Sequence, residues 1–277
     1  MAPSKANGPL HKLFSLDEKV TVITGGARGI GFALAEACAE YGSAIALLDI
    51  LDEPVSPIAE LEAKWSVQWK YYRADVTNHE SLTAAFNNVM NDFARVDNCI
   101  TAAGIALDKP FLDHTENESR RILDVNVMGT FLTAQIAAKH IISSSARQTH
   151  PGGSILFLSS QTAHTTTPQE HTSMYAASKG AVKTLALHLG VELAPHGIRV
   201  NSISPGYIET EMGRAATRNR PEMEEVMRNA PPLGRRGQTE DLLGVSLCFL
   251  SGAGSWITGT DVKIDGGLAG GGMHLRI

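Results

Sequence analysis

What most constrains this chain is a rhythm that runs from residue 19 to residue 267. Short apolar runs of strand character, "KVTVIT" (19–24), "AIALLD" (44–49), "VQWKYYRAD" (67–75), "VDNCITAAG" (96–104), "GSILFLSS" (153–160), "IRVNSISPG" (198–206) and "TDVKIDGG" (260–267), recur along it. Stretches of helical periodicity separate them at 31–42, 54–65, 78–94, about 115–146, 173–194 and 239–252, with Asn78 and Thr239 placed as caps. Strands with few polar residues, joined by helices, require a parallel sheet covered on both faces. The right-handed crossover rule then selects a doubly wound, Rossmann-type α/β fold of about seven strands.

The 277 residues are 43% apolar, enough for one large core. No linker, repeat or low-complexity block divides them. The expected organisation is a flexible polar arm over 1–16, a single dinucleotide-binding catalytic domain over 17–267 and a tail over 268–277. That tail is glycine-rich and expected to be mobile or tucked over a neighbour. A net charge of −5 argues against a nucleic-acid partner. No apolar run approaches the ~18 residues of a membrane span. Cys38, Cys99 and Cys248 have neither disulfide nor metal spacing, so each reads as a small buried hydrophobe in a reducing compartment, the cytoplasm. No metal site is expected.

The first strand runs into "TGGARGIG" (24–31), where Gly25, Gly29 and Gly31 permit a tight turn against a helix N-terminus that can face a pyrophosphate. Asp49 ends the second strand 18 residues after Gly31, close to the ~20 expected for an acid that binds adenosine ribose. A carboxylate there repels the 2′-phosphate of NADP, whereas Arg28 inside the loop can pair with it. NAD(H) is therefore favoured, and NADP(H) stays open.

"SMYAASKGAV" (173–182) sets Tyr175 and Lys179 on one helical face. With five tyrosines and ten lysines in the chain, chance alone supplies about 0.2 such pairs, so this spacing needs support from elsewhere.

That support is the order of motifs. "TGGARGIG", "RADV", "TAAG", "VNVMGTF", "GGSILFLSS", "YAASK", "RVNSISPG" and the terminal "DGG" together resemble the short-chain dehydrogenase/reductase family over roughly residues 17–267. The resemblance implies a nicotinamide cofactor held by Gly25, Arg28, Gly29, Ile30, Gly31, Asp49, Asp75, Val76, Ala103, Gly104, Tyr175, Lys179, Pro205, Gly206, Ile208 and Thr210. It implies a catalytic set of Asn126, Ser160, Tyr175 and Lys179, in which Tyr175 moves the proton. Asn126 would hold a water beside Lys179, and Ser160 would bond the reacting oxygen. It also implies a homodimer or homotetramer paired through the helices at about 115–146 and 173–194.

Two departures stand out. Thr101 and Ala102 occupy positions where the family usually carries asparagine, so a retained turn with altered bonding is expected. The interval from Ser160 to Tyr175 is about two residues longer than usual, which makes Ser159 a rival for the serine role. The extra length falls in "HTTTPQEH" (164–171), a loop expected at the edge of the substrate pocket. Ser160, Gln161, His164 and Tyr207 are the candidate substrate contacts; His171 is a weaker one. The segment at about 207–237 is expected to close over substrate. Within it, Arg214, Arg218 and Arg220 either attract an acidic substrate or form a solvated face balanced by Glu222, Glu224 and Glu225.

For a tyrosine to carry the proton, its pKa must fall from ~10 toward operating pH, at about 1.4 kcal/mol for each tenfold step. The expected activity is hydride transfer between a nicotinamide cofactor and a small secondary alcohol or ketone, such as a polyol or sugar. An NADPH-dependent carbonyl reductase of lipid or secondary metabolism, including acyl-carrier ketones, is the alternative. A non-catalytic dinucleotide sensor is the alternative of another class.

Overall fold

A computed structural model describes residues 8–145 and 152–271. Among these, seven parallel strands form one sheet: β1 (Val20–Thr24), β2 (Ala44–Asp49), β3 (Trp69–Arg73), β4 (Asn98–Thr101), β5 (Gly153–Leu158), β6 (Ile198–Pro205) and β7 (Asp261–Ile264). Their order is β3-β2-β1-β4-β5-β6-β7. Thr24 pairs with Leu48 on one side and Thr101 on the other. The strand order reverses between β1 and β4, so the loops leaving those two strands diverge and open a crevice at their C-terminal ends.

Ten α-helices accompany the sheet: α1 (Pro9–Phe14), α2 (Gly29–Glu40), α3 (Ile58–Trp65), α4 (His79–Phe93), α5 (Glu116–Leu123), α6 (Gly129–Ser145), α7 (Ser173–Glu192), α8 (Glu211–Asn219), α9 (Glu222–Asn229) and α10 (Leu243–Leu250). Successive strand residues point to opposite faces, so each strand feeds two cores. Val22, Ile155 and Phe157 pack with Phe86, Ile136 and Val182 of α4, α6 and α7. Ile23, Leu156 and Ile203 pack with Leu34, Phe249 and Leu61 of α2, α10 and α3. Side chains such as Phe157 and Ile23 are fully buried, worth about 1.5–3 kcal/mol each.

The structure amends the sequence reading in four places. The polar arm contains a helix: Pro9 opens α1, and Phe14 and His11 lie against Tyr41. At six residues α1 is too short to show a periodicity. The expected long helix at 115–146 is two helices joined by a π turn at Asp124–Met128, where the Gly129 N–H bonds back to the Asp124 carbonyl. Gln238, not Thr239, caps the turn that leads into α10, sharing a reciprocal pair of bonds with Asp241. The other expected cap is in place, with Asn78 accepting from the Ser81 N–H at 3.0 Å at the start of α4. Finally, the start of the tail is tied down: Leu268 is buried with Tyr207, Met223 and Met227. The remainder of the tail, 272–277, lies outside the described residues.

Candidate active site

The crevice is built by glycines at two loops. Gly25 has φ +69°, and a Cβ there would lie 2.5 Å from the Ala103 nitrogen, so the loops after β1 and β4 touch only because residue 25 has no side chain. A Cβ on Gly31 would strike the Gly25 carbonyl, which folds the loop back onto the first turn of α2. Gly29, at φ +62°, has nothing within 4 Å of its Cβ position and is open to the crevice. Asp49 turns its carboxylate toward this loop, one oxygen accepting from the Ala27 N–H at 3.0 Å and the other from Leu51 at 3.2 Å.

A groove of about 590 Å³ runs along these residues, lined by Gly25, Arg28, Gly29, Gly31, Asp49, Asp75, Val76 and Ala103. Arg28 is exposed at its rim. Asp75 shares one carboxylate oxygen with the Thr77 hydroxyl and N–H. The groove joins a second cavity of about 410 Å³; Ile30, Ala102, Gly104, Ala106, Thr210 and Met212 line both. Pro205, Gly206, Tyr207 and Ile208 line that second cavity together with Ser160, Gln161, Tyr175 and Lys179. Gly206 packs so closely on Asp265 that a Cβ would lie 2.7 Å from its Cα. Thr210 also accepts from the Gly213 N–H at 3.2 Å, starting α8.

Tyr175 and Lys179 sit one turn apart in the first half of α7, with the ammonium 5.7 Å from the phenol centroid. Lys179 Nζ donates to the Leu158 carbonyl at 2.7 Å. Burial pushes its pKa down from 10.5 to about 8. Burial pushes the Tyr175 phenol up, a hydrogen bond with Ser160 draws it down, and the Glu170 charge raises it further. The phenol of the free protein is therefore held as a neutral acid.

Ser160 is the serine that reaches Tyr175. Ser159 instead turns its hydroxyl to the Lys179 carbonyl at 3.0 Å, away from the cavity centre. Asn126, fully buried in the π turn, makes three hydrogen bonds to protein groups. Its Oδ1 accepts from the Ile105 N–H, and its Nδ2 donates to the Ile105 carbonyl and to Ser178 Oγ, all at 2.9 Å. It ties the β4 loop to α7. Gly104 lies beside it, where a Cβ would come 3.4 Å from Lys179 Nζ. The backbone runs on past β4 through Gly104 without the expected turn, and Thr101 Oγ1 is buried without a hydrogen-bond partner.

His164 does not line the cavity. Its Nε2 is bound to Asp261 at 2.8 Å and to Ser204 at 3.2 Å, fastening the long loop to the ends of β6 and β7. The arginines are also committed. Arg214 and Arg218 pair with Glu211 on the exposed face of α8. Arg220 lines the cavity; it pairs with Glu222 at 2.9 Å, as the balanced-face reading expected, and also bonds both carboxylate oxygens of Asp108, the Gln169 carbonyl and His171.

Sequence reasoning missed Glu170, Asp108, Met223, Met227 and Arg236, all of which line the cavity. Glu170 lies in the very loop expected at the pocket edge, where the two histidines are the more obvious polar groups. The others come from segments distant in sequence that meet only in the fold.

The groove fits a dinucleotide. It has a glycine cradle at a helix N-terminus, a carboxylate at one end, and a phenol and an ammonium where it meets the cavity. The family model described as enoyl-(acyl carrier protein) reductase matches residues 25–269. A structure titled as a short-chain type dehydrogenase/reductase from Mycobacterium marinum superposes with TM-score 0.87 at 35% identity, covering 94% of this chain and 99% of that one. The chain belongs to the short-chain dehydrogenase/reductase family. Among relatives in this family, the sorbose reductase sou1 of Schizosaccharomyces pombe is 36% identical over 93% of this chain and 98% of its own length. The 5-keto-D-gluconate 5-reductase of Escherichia coli K12 is 32% identical over 94% and 98%. As a family member the chain is an oxidoreductase that uses a nicotinamide dinucleotide. No described helix is long and apolar enough to cross a membrane.

Proposed function

We propose that this oxidoreductase interconverts a small polyol or sugar and its ketone, with Tyr175 as the proton-transferring residue. The observation that carries the reading is the Ser160–Tyr175–Lys179 cluster, set where the dinucleotide groove opens into a second cavity. The bound nicotinamide supplies or accepts the hydride. Ser160 donates to the reacting oxygen as charge grows on it. Tyr175, neutral in the free site, gives its proton to that oxygen when a ketone is reduced and takes it back in the reverse direction. Lys179 steadies the phenolate left behind, and Asn126 fixes the lysine's surroundings by bridging the β4 loop to Ser178. The names of the two relatives, both reductases of sugar-like ketones, support the substrate class.

Asp49 supports NAD(H) over NADP(H), because its carboxylate faces the loop where the adenosine ribose would lie. The buried free thiols Cys38 and Cys99, which burial pushes up to about 12, fit a reducing cytoplasm. Exposed apolar residues on α6 and α7, among them Phe131, Leu187 and Val191, fit a homodimer or homotetramer.

The test is a panel of sugars, polyols and simple ketones, assayed with both cofactors by absorbance of the reduced nicotinamide. Wild type should turn over at least one polyol–ketone pair. Tyr175→Phe should lose at least about a thousandfold in kcat while binding cofactor within about threefold of wild type. Undiminished turnover by that variant would sink the proton assignment. NADPH binding about tenfold tighter than NADH would overturn the reading of Asp49.

A further inference from the structure

We propose that Glu170 selects uncharged polyhydroxy substrates over their carboxylate-bearing counterparts, by accepting hydrogen bonds from substrate hydroxyls in the cavity beside Tyr175. The inference rests on the hydride-transfer reading above and narrows its substrate class.

The cavity has five charged side chains in its wall: Asp108, Glu170, Lys179, Arg220 and Arg236. Arg220 is shared between Asp108, at 2.9 and 3.0 Å, and Glu222, at 2.9 Å. Arg236, itself buried, is paired with Glu209 at 3.1 Å and Glu224 at 2.9 Å. Lys179 belongs to the reaction centre. Glu170 is then the wall charge that no described cation neutralises. Its Oε1 accepts from Tyr207 at 3.0 Å and Gln161 at 3.3 Å, and its Oε2 accepts from the Thr167 N–H at 3.0 Å. Thr166 also supplies a side-chain hydrogen bond, so a substrate hydroxyl shares these acceptors rather than filling an empty one.

A second observation points the same way. Gln161 is 3% exposed, and its Oε1 is buried with no hydrogen-bond partner. Its amide orientation follows from Nε2 donating to Glu170, which leaves the carbonyl as an unfilled acceptor. A buried acceptor without a donor is costly, and a ligand that brings the donor relieves that cost. Next to Ser160 and Tyr175, Gln161 and Glu170 therefore present acceptors to a substrate. Hydroxyl groups along a carbon chain supply donors. A substrate carboxylate supplies only acceptors and a charge that Glu170 repels, and both arginines already face carboxylates of the chain. Met223 and Met227 line the same cavity and offer apolar contact to the carbon skeleton.

The test compares kcat/KM for L-sorbose and for 5-keto-D-gluconate in wild type, Glu170→Gln and Gln161→Leu. The ratio of the two cancels any general change in proton transfer caused by removing a charge near Tyr175. Wild type should favour the neutral ketose. E170Q should lower the ketose-to-acid ratio by at least about tenfold, since it removes both the repulsion and a charged acceptor. Q161L keeps the carboxylate, should lower the same ratio through the ketose alone, and decides between the outcomes should E170Q fail to fold. Ratios within twofold of wild type in the folded variants, or a wild type that prefers the keto acid, overturn the role of Glu170. Turnover of no alcohol or ketone with either cofactor overturns the underlying reading, and this inference with it.

Discussion

Lys179 shows how a single residue trades stability for chemistry. Its pKa in the fold is about 8, below the ordinary 10.5, so the unfolded chain holds the proton more tightly. Stability from this group therefore rises with pH between about 8 and 10.5, and the cost of burying the cation is fully present below about 8. That cost is about 3 kcal/mol. Replacing Lys179 by Met removes it but leaves the Leu158 carbonyl without its donor, a loss of about 1 kcal/mol. Lys179→Met is thus expected to be more stable than wild type at pH 7 by about 2 kcal/mol. In thermal unfolding the gain should vanish near pH 10, and the variant should be nearly inactive. A lower Tm than wild type at pH 7 would show that the cation is not strained by burial. At this scale the sequence was informative where the spacing was local. Tyr175 and Lys179 share a helical face by arithmetic, and the choice of Ser160 over Ser159 followed from motif order. Glu170, Asp108 and Arg236 gave no such signal, because each faces the cavity through contacts 12 to 112 residues apart in the chain.

Among the elements, the β1–α2 loop separates two jobs that its glycines perform. Gly25 sits where backbone meets backbone, whereas Gly29 faces open space at a similar φ. Gly25→Ala should lose about 2 kcal/mol or more, from the left-handed backbone and the collision with Ala103. Gly29→Ala should lose only about 1 kcal/mol but project its methyl into the groove and weaken dinucleotide binding. Thermal unfolding together with fluorescence titration by NADH separates the two. Equal losses of stability would refute the division. Element existence was legible from the alternation of apolar runs, because the inner strands β1, β2, β4, β5 and β6 are buried along most of their length. Element ends and irregularities were not. The π turn at Asp124–Met128 has no periodicity of its own, and α1 is shorter than two turns.

For the molecule as a whole, the faces of α6 and α7 turned away from the sheet carry more apolar surface than solvent favours. Leu187 is 53% exposed and Val191 71%. The homo-oligomer proposed above would cover them with a second copy. Leu187→Glu with Val191→Glu is expected to reduce the sedimenting mass to a smaller species without changing the far-UV circular dichroism. Identical sedimentation of variant and wild type would place the subunit contact elsewhere. By itself, the sequence determined the parallel sheet and its doubly wound class, because these follow from short-range periodicity; the dinucleotide groove rested on the glycine spacing with Asp49, and the Tyr–Lys pair on the order of the family's motifs. Only the tertiary structure decided the substrate cavity. Its wall joins the β4 loop, the long loop before α7 and the α8–α9 segment, so which charges cancel there, and which one remains, depends on distances that no local pattern encodes.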